Sequence, residues 1–264
     1  FSLLSRSLDE GNSDYAIGSL LEAKLVHPSS SSSAPPNPGE FDDYMGRALF
    51  IRAYTIRGDF ASAQRYSLGE QEAADLSRDW AGEIELESAK LARALGNEKL
   101  ALERTKRVLL HAQGTGNRRL LSSANIEIGL IMLNSEKCEE AMEYFIIARD
   151  AAEQSGSSFE MIRALTYEAL SHFIFGNLSK AIRQIDAALA FIERATRREW
   201  QMYLLFLKGR VQFELGIYDQ ATATFQTALS LCDIYSHKER KKLFYAWMAR
   251  AQIYGSEGEP LKVL

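Results

Sequence analysis

Side chains that could carry chemistry are present in this chain, but they are not gathered. The four histidines, His27, His111, His172 and His237, stand one to a region, and none has a second histidine or a cysteine at metal-ligand spacing. His172, three residues after the small Ala169, reads as a packed side chain rather than a ligand. Gly114-Thr115-Gly116 lacks the third glycine and the preceding strand of a nucleotide loop. No serine sits in a nucleophile elbow, and Asn177-Leu178-Ser179 matches a glycosylation sequon by chance, inside a repeat turn. Cys138 and Cys232 fall in non-neighbouring repeats, so no disulfide is expected between them. The residues thus predict no catalytic group, no metal and no cofactor, and the chain is not expected to be an enzyme.

What the sequence does contain is a repeated phrase. Gly216-Ile217-Tyr218-Asp219-Gln220-Ala221 leads to Phe225 and Ala228, and Gly176-Asn177-Leu178-Ser179-Lys180-Ala181 leads to Ile185 and Ala188. Ala141, Phe145 and Ala148 keep the same offsets. The anchor alanines are Ala16, Ala63, Ala101, Ala141, Ala181 and Ala221, spaced by 47, 38, 40, 40 and 40 residues. A glycine turn followed by an alanine and a bulky residue joins two antiparallel helices and packs them closely. A fixed period in this range is the signature of a solenoid. Twelve residues before each anchor stand Ala89, Gly129, Ala169 and Gly209, with Ile51 the exception, so close helix crossings are predicted there. Gly209→Leu is accordingly expected to damage the fold. In the third repeat Glu136 replaces the turn glycine, and Asn134 and Ser135 are expected to break the helix by capping.

These features resemble the tetratricopeptide repeat: a small residue, Tyr54 three positions after Ile51, the Gly-Asp/Asn turn, alanine, a bulky apolar residue, alanine, and once a closing proline, Pro28. The resemblance covers nearly the whole chain in six registers and implies an all-α, right-handed superhelical solenoid of antiparallel helix hairpins over residues 1–264. Each repeat here is about six residues longer than the family's usual period. Such long helices are similar to those of maltose-regulator-type transcription activators and kinesin light chains, which implies a signalling or adaptor setting. The helix pairs are expected at 41–57 with 60–77, 80–95 with 98–113, 118–133 with 137–154, 159–175 with 178–195 and 198–215 with 218–235, followed by 239–254. Ser158 is read as a helix start signal. Residues 28–40, with four of the five prolines and five consecutive serines, read as a flexible loop between repeats. A phosphorylation or linker role is the alternative to a tolerated insertion.

The family lines its concave groove with the first helix of each pair, and the registers carry those places over. In the fourth repeat they hold Arg163, Thr166, Leu170, Phe173 and Ile174. The fifth supplies Tyr203, Phe206, Arg210, Phe213 and Glu214, and the sixth Tyr245, Met248 and Gln252. Aromatics with arginines are the composition of interface hot spots, so this stretch is the expected partner-binding site. The alternative is that the aromatics pack against the next repeat. The earlier repeats offer the more polar Glu83, Leu86, Lys90 and Arg93, and the lysine, asparagine and arginine set of the family's chaperone-tail clamp is not found. A further pattern is basic: Arg118, Arg119, Arg197, Arg198, Lys238, Arg240, Lys241 and Lys242 stand near helix N-termini. It reads as a solvated edge, with an acidic partner as the alternative.

Composition bounds the rest. A hydrophobic content of 46% and a charged content of 25% are those of a folded soluble chain. No apolar run reaches the length of a membrane span, and a net charge of -4 exerts no pull toward nucleic acid. Unpaired cysteines fit a reducing compartment, so the expected location is the cytoplasm. Phe1 begins inside a helical pattern and Val263-Leu264 ends where a second helix should begin, so the chain is expected to be a piece of a longer protein. Leu3, Leu4 and Leu8 at one end, and Leu261, Val263 and Leu264 at the other, would need cover, which makes self-association through uncapped terminal helices a second expectation beside a protein or peptide partner. The expected function is a non-catalytic protein–protein interaction scaffold that holds a peptide, helix or domain in its groove. The alternative is a regulatory sensor that binds a small ligand or signalling peptide and gates an attached effector domain.

Overall fold

The computed structural model describes residues 44–67, 81–195, 198–235 and 238–257. Among them are eleven α-helices and no strand: α1 (Tyr44–Arg57), α2 (Phe60–Tyr66), α3 (Ala81–Ala94), α4 (Glu98–Thr115), α5 (Arg118–Asn134) and α6 (Cys138–Ser155), then α7 (Ser158–Ile174), α8 (Leu178–Ala195), α9 (Arg198–Glu214), α10 (Tyr218–Tyr235) and α11 (Lys238–Glu257). The anchor Ala16, the serine-proline stretch 28–40, and the terminal leucines and valine lie outside the described residues, as do Arg197 and Gly258.

Each hairpin turns in the same way. In α9–α10 the Gly216 N–H donates to the Phe213 carbonyl at 2.9 Å and the Ile217 N–H to the Gln212 carbonyl at 3.0 Å. This pair of bonds is the Schellman motif, which satisfies carbonyls the helix leaves without partners. It needs a left-handed residue, and Gly216 sits at φ 75°. The third hairpin makes the same two bonds, from Glu136 to Leu133 and from Lys137 to Met132. Glu136 therefore takes φ 62°, where a side chain is strained. The break is made by this backbone and not by side-chain capping from Asn134. The Ser135 hydroxyl lies 3.0 Å from the Ile131 carbonyl and 3.0 Å from the Glu98 carboxylate. Residues after the turn cap the second helices where their chemistry allows. The Asp59 carboxylate accepts from the Ser62 N–H and the Asn97 side chain from the Leu100 N–H, whereas Lys137 makes no such bond.

Two of the boundaries that differ from the sequence expectation have a cause visible in the side chains. α2 ends at Tyr66, with Ser67 extended, instead of running to 77. The Arg47 guanidinium of α1 donates to the Tyr66 and Ser67 carbonyls, both at 3.2 Å, and so takes over the groups that a longer helix would have bonded. α7 begins one residue earlier than its serine start signal suggests: Ser157 is the cap, and its hydroxyl accepts from the Glu160 N–H. The pattern Ser157-x-x-Glu160 is the capping-box spacing, read one residue out of register.

The chain forms two compact units, one ending at Gly156 and the other beginning at Ser157. In both, the second helix of a pair packs on the first helix of the next: α4 on α5 in the first unit, α8 on α9 and α10 on α11 in the second. The anchors Ala63, Ala101, Ala141, Ala181 and Ala221 are all fully buried. Phe145 and Ala148 are buried in the first unit, and Ile185, Ala188, Phe225 and Ala228 in the second. Burying one such phenylalanine or isoleucine stabilises by about 1.5–3 kcal/mol. The glycines at the crossings are there for space. A Cβ on Gly129 would lie within 2.8 Å of three carbons of the Phe145 ring, and one on Gly209 equally close to the Phe225 ring.

Both units have apolar cores, and the first adds buried ion pairs between its helices. In the first, the fully buried Glu85 of α3 accepts from Arg104 at 2.6 Å and from Arg107 at 2.6 Å, both on α4. Buried Glu127 of α5 pairs with Arg93 of α3, and Arg119 pairs with Glu83. The Phe50 and Tyr66 rings stack with centroids 5.0 Å apart. In the second unit the contacts are chiefly apolar and aromatic, built around Ile162, Leu165, Ile185, Leu204, Leu207 and Val211.

Candidate functional site

The second unit carries all nine residues expected to face a partner. Their scaffold is the set of first helices α7, α9 and α11, with α9 lying beside each of the other two. Register places one aromatic or arginine per helical turn on the same face of α9: Tyr203, Phe206, Arg210 and Phe213.

The structure distributes these residues over three environments. Arg163 is buried and spends its charge on Glu160 of its own helix, 2.8 Å away, with its guanidinium 5.7 Å from the Phe159 ring centroid. Beside it Tyr203 meets Trp200 edge-on at 6.3 Å, and Trp200 also meets Phe159 and Tyr167 edge-on. Phe206, Phe213, Leu170 and Met248 are given to packing. Phe206 stacks on Phe244 of α11 with centroids 4.5 Å apart and lies 5.9 Å from Phe225. Phe213 is buried against Tyr218, Trp247 and Tyr254. Leu170 packs on the core of α7 and α8, and Met248 on the two clusters that hold Phe244 and Phe225. Tyr245 is the most open of the nine, 47% exposed, with the Lys241 ammonium 5.8 Å from its ring centroid.

The third environment is centred on Arg210. Its guanidinium carbon lies 5.1 Å from the Phe173 centroid and 3.9 Å from the Trp247 centroid. One side chain of α9 is therefore held between rings from α7 and α11. Arg250, exposed on α11, continues the series: its guanidinium lies 5.1 Å from the Trp247 ring, 5.1 Å from Phe213 and 5.7 Å from Tyr254. Each such contact contributes about 0.5–2 kcal/mol. Among the described residues no carboxylate pairs with Arg210 or Arg250, and the buried Arg210 Nε has no hydrogen-bond acceptor. Burial pushes the Arg210 guanidinium below its ordinary range; Glu214 opposes that shift and Arg250 adds to it.

Trp247, Arg250 and Phe244 were not among the residues expected on this face. Gly209 recurs as Ala251, 42 residues on rather than 40, and that offset puts Trp247 and Arg250 level with Leu205 and Lys208, outside the family's partner-facing places. The alternation of aromatic and basic residues along Lys241, Tyr245, Trp247, Arg250 and Tyr254 was the signal available.

His172 has a buried Nδ1 without a hydrogen-bond partner; burial, with Lys180 and Arg183 nearby, holds its pKa below the usual histidine range. Cys138 is a free thiol, and the Cys232 side chain lies outside the described residues. Among the described residues there is no group of three or more histidine, cysteine, aspartate or glutamate side chains able to hold a metal ion, and no helix long and apolar enough to cross a membrane.

No family model matches the chain. Over 127 residues, 48% of its length, it is 28% identical to a TPR repeat-containing protein of Treponema pallidum (strain Nichols), and the match spans 15% of that relative. Solved structures share its fold. A signal transduction ATPase with numerous domains and a tetratricopeptide repeat sensor, from Pyrococcus horikoshii, aligns over 80% of this chain and 33% of its own, with a TM-score of 0.66 and 16% identity. A Rap protein complexed with competence and sporulation factor aligns over 97% of this chain and 74% of its own, at 0.61 and 12%. Putative kinesin light chain repeats of Podosopora anserina align over 77% of this chain and their full length, at 0.55 and 14%. The recurring alanine anchors, the turn repeated from hairpin to hairpin and these likenesses give the chain the fold of a tetratricopeptide-like helical solenoid, with a period of about 40 residues.

Proposed function

We propose that this chain is a non-catalytic interaction module and that the shared face of α7, α9 and α11 receives a protein or peptide partner. The observation that carries the reading is the series Phe173, Arg210, Trp247 and Arg250, which crosses three successive first helices. Aromatic rings and arginines presented together are what interface hot spots use: the rings bury large areas at a small cost in side-chain entropy, and the arginines add directed hydrogen bonds. Tyr245 and Ile174, each about half exposed, extend that face.

Phe206 is committed to Phe244 and Phe225, so its truncation to alanine would open a cavity as well as alter the face. The cleaner test is amide hydrogen exchange of the full chain with and without peptides selected on it from a phage-displayed random library. Protection concentrated in α7, α9 and α11 is the expected result. Protection confined to α8 and α10, or to the first unit, would remove this face as the binding site.

A second reading, a sensor that gates an attached effector, is favoured by one observation. The Pyrococcus horikoshii structure is named as a multidomain ATPase whose tetratricopeptide repeats are its sensor, and this chain covers only part of it. The readings separate on the response of the whole parent protein: a sensor changes an effector's activity when the face is filled, whereas a scaffold changes only what is bound.

A further inference from the structure

The Arg210–Arg250 pair is unusual in how its charge is satisfied. Other buried or half-buried arginines have oxygen acceptors: Arg104 and Arg107 meet Glu85, Arg93 meets Glu127, Arg163 meets Glu160, and Arg47 meets the Tyr66 and Ser67 carbonyls. Arg210 and Arg250 meet only rings. A ring covers the flat face of a guanidinium but leaves the N–H donors along its edge without acceptors. One of these, the Arg210 Nε–H, is buried and without an acceptor, which costs free energy until something accepts from it. The two guanidiniums also repel each other, and Glu214 acts on Arg210 in the opposite sense. Neither guanidinium is paired with a carboxylate among the described residues, and the exposed Arg250 edge is open to one from a partner.

We propose that the Arg210–Arg250 pair, both against the Trp247 ring, accepts one carboxylate side chain of an acidic peptide segment. The proposal rests on the reading of this face as the partner site and names the chemistry of what it takes. A guanidinium holds a carboxylate through two parallel N–H···O bonds, and such charge-assisted bonds are about twice as strong as neutral ones. The chain's net charge of -4 gives no long-range attraction for a polyanion, so selection has to be local. Apolar residues beside the acidic one would meet Tyr245 and Ile174.

The test uses the full chain and unphosphorylated peptides selected on it from the random library. Selected peptides are expected to share an aspartate or glutamate at a fixed position. Its replacement by asparagine or glutamine, and Arg250→Gln in the protein, should each weaken binding about tenfold or more, and the double change should weaken it little further. Arg250 is exposed, so Arg250→Gln loses its ring contacts but should keep the helicity of the chain by circular dichroism; Arg250→Glu should recover binding to the peptide with lysine at the acidic position. Selected peptides without a common acidic residue would overturn the proposal, as would acidic peptides that bind Arg250→Gln unchanged. Displacement by millimolar inorganic phosphate, with tighter binding of a phosphoserine peptide, would assign the pair to phosphate instead. Hydrogen exchange separates the two levels: protection of α7, α9 and α11 without an acidic requirement sinks the carboxylate alone, and a failure to select any peptide counts against both.

Discussion

Gly209 tests whether the close helix crossing is a demand of packing or an accident of sequence. Glycine inside a helix costs about 1 kcal/mol relative to alanine, so at an ordinary helical site Gly209→Ala would stabilise the chain by that amount. Here the new Cβ would lie 2.6 Å from Cε1 of Phe225 and 2.8 Å from two other ring carbons, against 3.4 Å or more for ordinary contact. The ring would have to withdraw by about 0.8 Å, yet Phe225 is fully buried and Phe206 lies 5.9 Å away on another side of it. Overpacking of this kind costs about 1–3 kcal/mol, and the tight surroundings put this case in the upper half, so the net loss should be about 1–2 kcal/mol. Phe225→Ile alone leaves a void and should cost about 1–2 kcal/mol. The double variant reproduces the pair found one repeat earlier, Ala169 and Ile185, and should lie within about 0.5 kcal/mol of the starting protein. The two single losses should therefore fail to add by about 2 kcal/mol or more. Urea unfolding followed by circular dichroism gives the overall effect, and amide hydrogen exchange within α9 and α10 isolates the hairpin, which matters because repeat arrays need not unfold in one step. A Gly209→Ala protein that is more stable than its parent, or a double variant whose losses add, would refute the crossing argument.

Glu136→Gly should raise the thermal midpoint, because it relieves about 1–2 kcal/mol of left-handed strain and returns part of that as backbone entropy; a fall in the midpoint would mean that the Glu136 side chain contributes something the turn geometry does not reveal. Glu85→Ala should cost about 3 kcal/mol, at the low end for a broken buried pair because Arg107 remains partly solvated, and a loss under about 1 kcal/mol, measured by exchange in α3 and α4, would reduce this network to the value of a surface pair. His172 has a folded-state pKa below its unfolded value of about 6.5. The unfolded chain therefore binds that proton first, and stability present above pH 6.5 is lost as pH falls toward the folded-state value. His172→Gln should flatten the stability profile over that window, and an unchanged slope would show that other groups set it.

The fold was legible because its signals are local and recur. Anchors such as Ala141 and Ala221 bury completely whatever surrounds them, and the turn glycines announce themselves by type. Where chemistry departed from type, the reading slipped. Glu136 adopts the glycine conformation under the pull of two backbone bonds, which no side-chain preference signals. α2 stops early because of Arg47, nineteen residues away in sequence from Tyr66. The candidate face was legible to the extent that register assigns a residue to a side of a helix. Register cannot say which of Phe206, Arg210 and Phe213 is spent on the neighbouring repeat, because that depends on Phe244, Trp247 and Tyr254 arriving from α11 at an altered spacing. The size match at each crossing was also in the sequence, with Gly129 opposite Phe145 and Ala169 opposite Ile185 at equal offsets, but only the distances give it meaning.

The division of labour between the two units has a consequence for how the molecule comes apart. Ion pairs such as Glu85 with Arg104 and Arg107 are weakened by dissolved salt to the extent that water reaches them, whereas the ring and aliphatic contacts of the second unit are strengthened by excluded salts such as sulfate. A sulfate series should therefore spread the two unfolding events apart. Guanidinium chloride, a salt as well as a denaturant, should loosen the first unit at a lower fraction of the overall transition than urea does. The same chain would then pass through a half-folded state whose intact half is the second unit and whose range of existence is set by the solvent.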